Sequence, residues 1–158
     1  MSASKFEELR AWQLARGFKR GIYELTARPP LSGDFRLRDQ LREAAASAPS
    51  NISEGFGRVD PPDFARLVKI AKASLMECQN HLLDAVDRGH ITAALCDQHV
   101  ARAQEVLSEI AGLLDYLQSP VAKRNAERIR QKRFERRRNR LERQPSLKPD
   151  AGTENSEP

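Results

Sequence analysis

Eleven of the 27 Lys and Arg residues in this chain fall between positions 121 and 143, against three acids, so that segment carries a net charge of +8. They are Lys123, Arg124, Arg128, Arg130, Lys132, Arg133, Arg136, Arg137, Arg138, Arg140 and Arg143. Such a composition offers phosphate recognition, because a guanidinium fork matches two phosphate oxygens and neutralising phosphates releases condensed counterions. The rest of the chain is close to neutral. Residues 1–120 hold 15 basic and 16 acidic side chains and residues 144–158 hold one and three, so the overall +5 says little about residues 1–120. A weaker polarity lies inside them: residues 5–28 carry six basic and three acidic groups, residues 90–118 one and four. The first and last helices of that region are therefore expected to attract each other or neighbouring subunits.

Catalytic and metal chemistry finds no constellation. Di-metal carboxylate centres in helical bundles use Glu-x-x-His pairs on facing helices. Three residues after Glu77 stands Asn80, with His81 one position too late, and no other glutamate does better. Asp87-x-x-His90 and Asp97-x-His99 have no partner pair elsewhere, so no metal ligand is assigned. Cys78 and Cys96 fall at apolar helix positions, where cysteine behaves as a small buried hydrophobe, and neither belongs to a Cys-x-x-Cys clip. Gly55-Phe56-Gly57 has too few glycines for a phosphate loop and follows a helical stretch rather than a strand. The expectation is a non-enzymatic protein without catalytic residue, metal or cofactor.

The decapeptide Pro49-Ser50-Asn51-Ile52-Ser53-Glu54-Gly55-Phe56-Gly57-Arg58 stands out. Proline removes one ladder bond, and the polar groups around Pro49 are expected to cap the resulting kink, with Arg58 pairing to Glu54 one turn away. A structural role is favoured over a ligand or subunit contact.

The elements that must position these residues read as helices throughout. Apolar residues recur at helical spacing from Phe6 through Leu9, Trp12, Ala15, Phe18 and Ile22 to Leu25. Pro29-Pro30 ends this helix, and a second stripe runs Leu37, Leu41, Ala45, Ala48, Ile52 and Phe56. Asp60-Pro61-Pro62-Asp63 reads as a side-chain cap with proline at the first helical position. The third stripe then runs from Phe64 to Ala85 and stops at Gly89. Thr92 is expected to cap a fourth helix reaching Leu117, ahead of Ser119-Pro120. No strand-like alternation occurs. Helices joined by short connections bury such stripes most simply as an all-α, up-down-up-down antiparallel four-helix bundle, here residues 1–120 with a basic C-terminal extension. Residues 121–143 are expected to be helical, at least on binding, and residues 144–158, rich in Pro, Ser, Gly and acid, to be disordered.

The longest apolar runs are far shorter than the roughly 20 residues that span a bilayer. The N-terminus lacks the apolar core of a secretory signal, and two cysteines are too few for a disulfide scaffold. A cytoplasmic protein without membrane contact is expected.

Phe6-Glu7-Glu8-Leu9-Arg10-Ala11-Trp12-Gln13 together with the decapeptide resembles a family of four-helix bundle proteins encoded within intervening sequences of bacterial 23S ribosomal RNA genes. Its members read F-x-D/E-L-x-x-W-Q near the N-terminus and I-P-x-N-I-A-E-G-x-x-R in the second helix; Ala48 here replaces Ile, and Ser53 replaces Ala. The resemblance extends from about residue 5 to residue 118, without the tail. It makes Trp12, Pro49, Asn51, Glu54, Gly55 and Arg58 the family-motif positions, structural or at a subunit contact, with Trp12 or Tyr23 as an exposed contact residue. It also implies a homo-oligomeric ring, commonly a pentamer. Related accessory proteins of diversity-generating retroelements use basic barrels to bind nucleic acid and a reverse transcriptase. The near-neutral residues 1–120 depart from that pattern.

The functional expectation is an oligomer that binds nucleic acid, RNA rather than DNA, through phosphate contacts of the Arg-rich segment. The alternative is a protein-interaction scaffold or accessory subunit, for a reverse transcriptase or another partner.

Overall fold

The computed structural model describes residues 3–58 and 60–143; the disorder expected for residues 144–158 lies outside the described residues. The chain forms helices α1 (Arg10–Thr26), α2 (Phe35–Gly57), α3 (Pro61–Asp87), α4 (Ala93–Gln118) and α5 (Pro120–Arg143), with single 3-10 turns at Phe6–Glu8 and Leu31–Gly33. The fold is all-α, with no strand among the described residues. None of these helices is long and apolar enough to cross a membrane.

Helix α1 begins later than the apolar spacing suggests, because Leu9 adopts an extended conformation (φ −73°, ψ 120°) between the first 3-10 turn and the helix. The Leu9 side chain is nonetheless buried, so the turn keeps the stripe on the core side. Gln13 Nε2 donates to Glu7 O at 2.8 Å across the break. Helix α2 is capped by Asp34, whose carboxylate accepts from Leu37 N at 3.1 Å, and it continues through Pro49. The polar groups around Pro49 do not cap the Ala45 carbonyl that the missing proline N–H would have served. Asn51 Nδ2 donates to Ser47 O at 2.9 Å, and Ser53 Oγ donates to Ser50 O at 2.9 Å.

Asp60 stands at the start of α3 without making the side-chain cap read from the sequence. Its carboxylate is engaged elsewhere, by α5. At the other end Gly89 takes φ 70°, and the N–H groups of Gly89 and His90 donate to Val86 O and Ala85 O, each at 2.8 Å. That left-handed stop needs glycine because a side chain there would crowd the backbone. Thr92 Oγ1 caps α4 by accepting from Leu95 N at 3.2 Å.

Helices α1 to α4 each pack on their chain neighbours, and α1 also packs on α4. Opposed pairs show that α2 and α3 run antiparallel: Leu41 O faces Cys78 Sγ at 3.8 Å, Ser47 Oγ faces Ser74 Oγ at 2.8 Å, and Gly55 faces the Phe64 ring. A Cβ on Gly55 would run into that ring, so glycine here serves close helix approach. Ile22, Leu37, Leu41, Ile52, Leu75, Leu82 and Ile110 are fully buried, each worth about 1.5–3 kcal/mol of burial. Ala45, Ala48, Ala71, Ala85 and Ala103 are completely covered, and their small side chains bring the helix axes together.

One polar clasp ties the α1–α2 connection to the α3–α4 turn. Asp34 Oδ2 lies 3.0 Å from His90 Nε2 and 3.1 Å from Arg88 Nη1, while Arg88 also bonds Asp84 at 2.7 Å. The Leu37 N–H first, then His90 and Arg88, hold the Asp34 carboxyl below its ordinary value.

Two outcomes are expected. Leu75→Ala should cost about 2–5 kcal/mol in denaturant unfolding; a near-zero change would mean that this face of α3 is not core. The folded pKa of Asp34 lies below its unfolded value near 3.8, so its contribution is present above that value and lost as pH falls through the lower folded one. Asp34→Asn keeps a capping side chain without the charge, and its stability should fall less than the parent's between about pH 5 and pH 3.

Candidate nucleic-acid interface

The cationic segment is one continuous helix, and its start is fixed by a residue that serves two helices. Ser119 ends α4, with its Oγ donating to Tyr116 O at 2.6 Å, and the same Oγ accepts from Ala122 N at 3.3 Å in the first turn of α5. Pro120 occupies the first helical position, where the absent N–H costs nothing. Ala122 and Ala126, one turn apart, are buried, and Asn125 Nδ2 donates to the Tyr116 hydroxyl at 3.2 Å. Arg130 Nη2 then pairs with Asp60 Oδ1 at 2.5 Å, reaching back to the start of α3.

Past Arg130 every side chain among the described residues of the helix is exposed. Lys132, Arg133, Arg136, Arg137, Arg138 and Arg140 are exposed, as are Lys123, Arg124, Arg128 and Arg130 nearer the anchor. Arg143 closes the helix, and its side chain lies outside the described residues. Phe134 is 69% exposed, so its apolar ring does not dock on the rest of the chain. At about 100° per residue the cations occupy the whole circumference rather than one face. Helix α5 is about 36 Å long at 1.5 Å per residue, and roughly its C-terminal half stands clear as a cationic rod. Arg138 Nε lies 3.7 Å from Glu142 Oε1, an exposed pairing that leaves the excess of positive charge intact.

Beside the anchor lies a groove of about 510 Å³ lined by Phe56, Arg58, Pro61, Phe64, Tyr116 and Ile129 among others. The family-motif residues sit at this end. Pro49 and Gly55 are buried, Phe56 packs edge to face on Phe64 with centroids 6.4 Å apart, and Arg58 pairs with Glu54 at 2.6 Å. Asn51 bonds Ser47, which contacts Ser74 of α3. Of these bonds the one between Ser47 and Ser74 joins two helices, and the others lie along α2 and its end. Trp12 is half-buried against Phe6, whereas Tyr23 is exposed.

The remaining reactive groups are dispersed. Burial pushes the Cys78 thiol up to about 12 and raises Cys96 as well, so neither offers a thiolate at neutral pH. His99 is buried at the α1–α4 contact with Nδ1 unpartnered; burial, then Arg102, lowers its pKa. Among the described residues no group of three His, Cys, Asp or Glu side chains is placed to hold a metal ion. Sequence reading missed Asp60, Tyr116 and Asn125 as the residues that seat α5; the Tyr116 to Asn125 spacing across Ser119-Pro120 was the available signal.

The fold is thus an all-helical body bearing a cationic helix anchored by its first turns. The family model described as 23S rRNA-intervening sequence protein matches residues 7–112, two thirds of the chain, and the chain belongs to that family. Comparison with curated proteins gives no match. The matched region takes in α1, α2, α3 and most of α4, with Trp12 and the whole 49–58 motif, and ends before α5.

Ala126→Glu should release α5, since it places a charge in a buried contact. Hydrogen exchange should then accelerate in residues 120–143 while α1 to α3 keep their protection; unchanged α5 protection would mean that Ala126 does not anchor the helix.

Proposed function

We propose that this chain is a non-enzymatic, cytoplasmic, oligomeric RNA-binding protein whose α5 makes the phosphate contacts. In this reading α1 to α4 form an up-down-up-down antiparallel bundle, and the bundle sets valency by assembling into a homo-oligomer, a pentamer by family resemblance. The observation that carries the proposal is the exposure of ten described Lys and Arg side chains around the single helix α5. An isolated polar helix gains little from burial, so charges held at close spacing repel one another unless a polyanion neutralises them. Membership in an rRNA intervening-sequence family is compatible with RNA association. Several such helices on one oligomer would raise avidity through effective concentration rather than through new contacts.

The test is fluorescence anisotropy of the full chain against a structured RNA, beside the variant Arg136→Gln, Arg137→Gln, Arg138→Gln, Arg140→Gln. All four positions are exposed, so folding should be unaffected. The variant should bind at least about tenfold more weakly at moderate salt, the loss shrinking as salt rises. Equal affinity of parent and variant would remove α5 from the interface.

A further inference from the structure

The near-neutral charge of residues 1–120 hides a division. Residues 10–42 carry eight basic and three acidic groups, a net +5, whereas residues 43–119 carry six and eleven, a net −5. Within the basic part, aromatic rings and cations alternate along one surface. Trp12, Arg16, Lys19 and Tyr23 recur at helical spacing on a single face of α1, about 16 Å from end to end. Arg16 Cζ stands 5.5 Å from the centre of the Trp12 ring, and Lys19 Nζ stands 5.8 Å from that of Tyr23. The series then crosses to α2. Arg42 Cζ lies 5.5 Å from the same Tyr23 ring, with its Nε bonded to Thr26 Oγ1 at 2.9 Å, and Arg38 Cζ lies 4.8 Å from the Phe35 ring.

Core packing accounts for Trp12, which is half-buried against the core, but not for the other two rings. Phe35 is 66% exposed and Tyr23 41%, and large aromatics in such positions lose the burial that ordinarily retains them. Of the three acids in residues 10–42, Asp34 is engaged by His90 and Arg88, and Asp39 by Arg38 at 2.8 Å, which partly offsets that one cation. Rings at intervals offer stacking surfaces to unpaired bases, while the cations between them meet a phosphate backbone. That combination is the physical basis of sequence-tolerant single-strand binding.

We propose that the Trp12–Arg16–Lys19–Tyr23 face of α1, continued by Arg42, Arg38 and Phe35 of α2, is a second nucleic-acid site, specific for single strands. It shares with the α5 reading only the premise that the chain binds nucleic acid. The two sites differ in what they recognise. Helix α5 has no aromatic–cation alternation and reads phosphate density, which duplexes supply best; the stripe needs unstacked bases.

Trp12 is the chain's one tryptophan, so all tryptophan emission comes from the stripe's first ring. Titration of the full chain with oligouridylate should change that emission, and titration with duplex RNA should not. The double variant Tyr23→Leu, Phe35→Leu keeps apolar bulk but removes the stacking faces. It should weaken oligouridylate binding about tenfold or more, leave duplex affinity unchanged, and keep the salt slope of the parent. Glutamine substitutions in α5 should do the reverse, lowering the salt slope while sparing the Trp12 response. If oligouridylate binds without altering Trp12 emission, or binds the double variant as tightly as the parent, the stripe is not a nucleic-acid site, whatever α5 does. A double variant whose mass by light scattering falls together with its affinity would make the stripe a contact between copies of the chain and overturn the proposal. Loss of duplex binding in the α5 variants alone would leave the stripe standing.

Discussion

A helix with cations on every side cannot be held by burial along its length, and this constraint governs how α5 is attached. Its first two turns supply the only buried side chains described in it, Ala122 and Ala126. Small residues let the helix lie close without a broad apolar face, which leaves the rest of the rod to its cations. The double cap at Ser119 and the ion pair between Arg130 and Asp60 set the direction in which it leaves. Between them, these contacts make the rod an appendage of a packed body, and the body's stability sets how well the cations are presented.

The body's own charge is organised rather than neutral. Residues 10–42 carry a net +5 and residues 43–119 a net −5, so under the proposed function a polyanion would be drawn to α1 and the start of α2 rather than to the rest of the body. The 23S rRNA-intervening sequence family match covers this body and stops before α5, so the stripe lies within the family's shared region while the cationic rod lies beyond it.

Much of the fold was legible because its signals are local. Thr92 capping α4 and Gly89 ending α3 depend on neighbours within a few residues, and Leu41, Leu75, Leu82 and Ile110 reach the core because helical spacing alone puts them there. What was misread depended on distance. Asp60 has the sequence of an N-cap, but Arg130, 70 positions later, engages its carboxylate instead. Leu9 breaks the first helix invisibly, since a 3-10 turn preserves the side on which Phe6 and Leu9 fall. The cationic segment was legible as composition, whereas its anchoring by two alanines was not. Trp12 was legible as a position on the apolar stripe and Tyr23 as a contact residue, but the cations that stand beside their rings include Arg42 of α2, which no local pattern brings to α1. The basic excess of residues 5–28 was legible as well, whereas its continuation onto α2 was not.

The central claim is that phosphate neutralisation by α5 drives binding, and the salt dependence of affinity measures it most directly. For the full chain on duplex RNA, engagement of about five phosphates by these arginines predicts a slope of log K against log salt of about −4.5, taking the duplex-DNA coefficient as a guide. Binding that persists with a slope near zero would contradict the account, because it would mean that the cations of α5 are spectators.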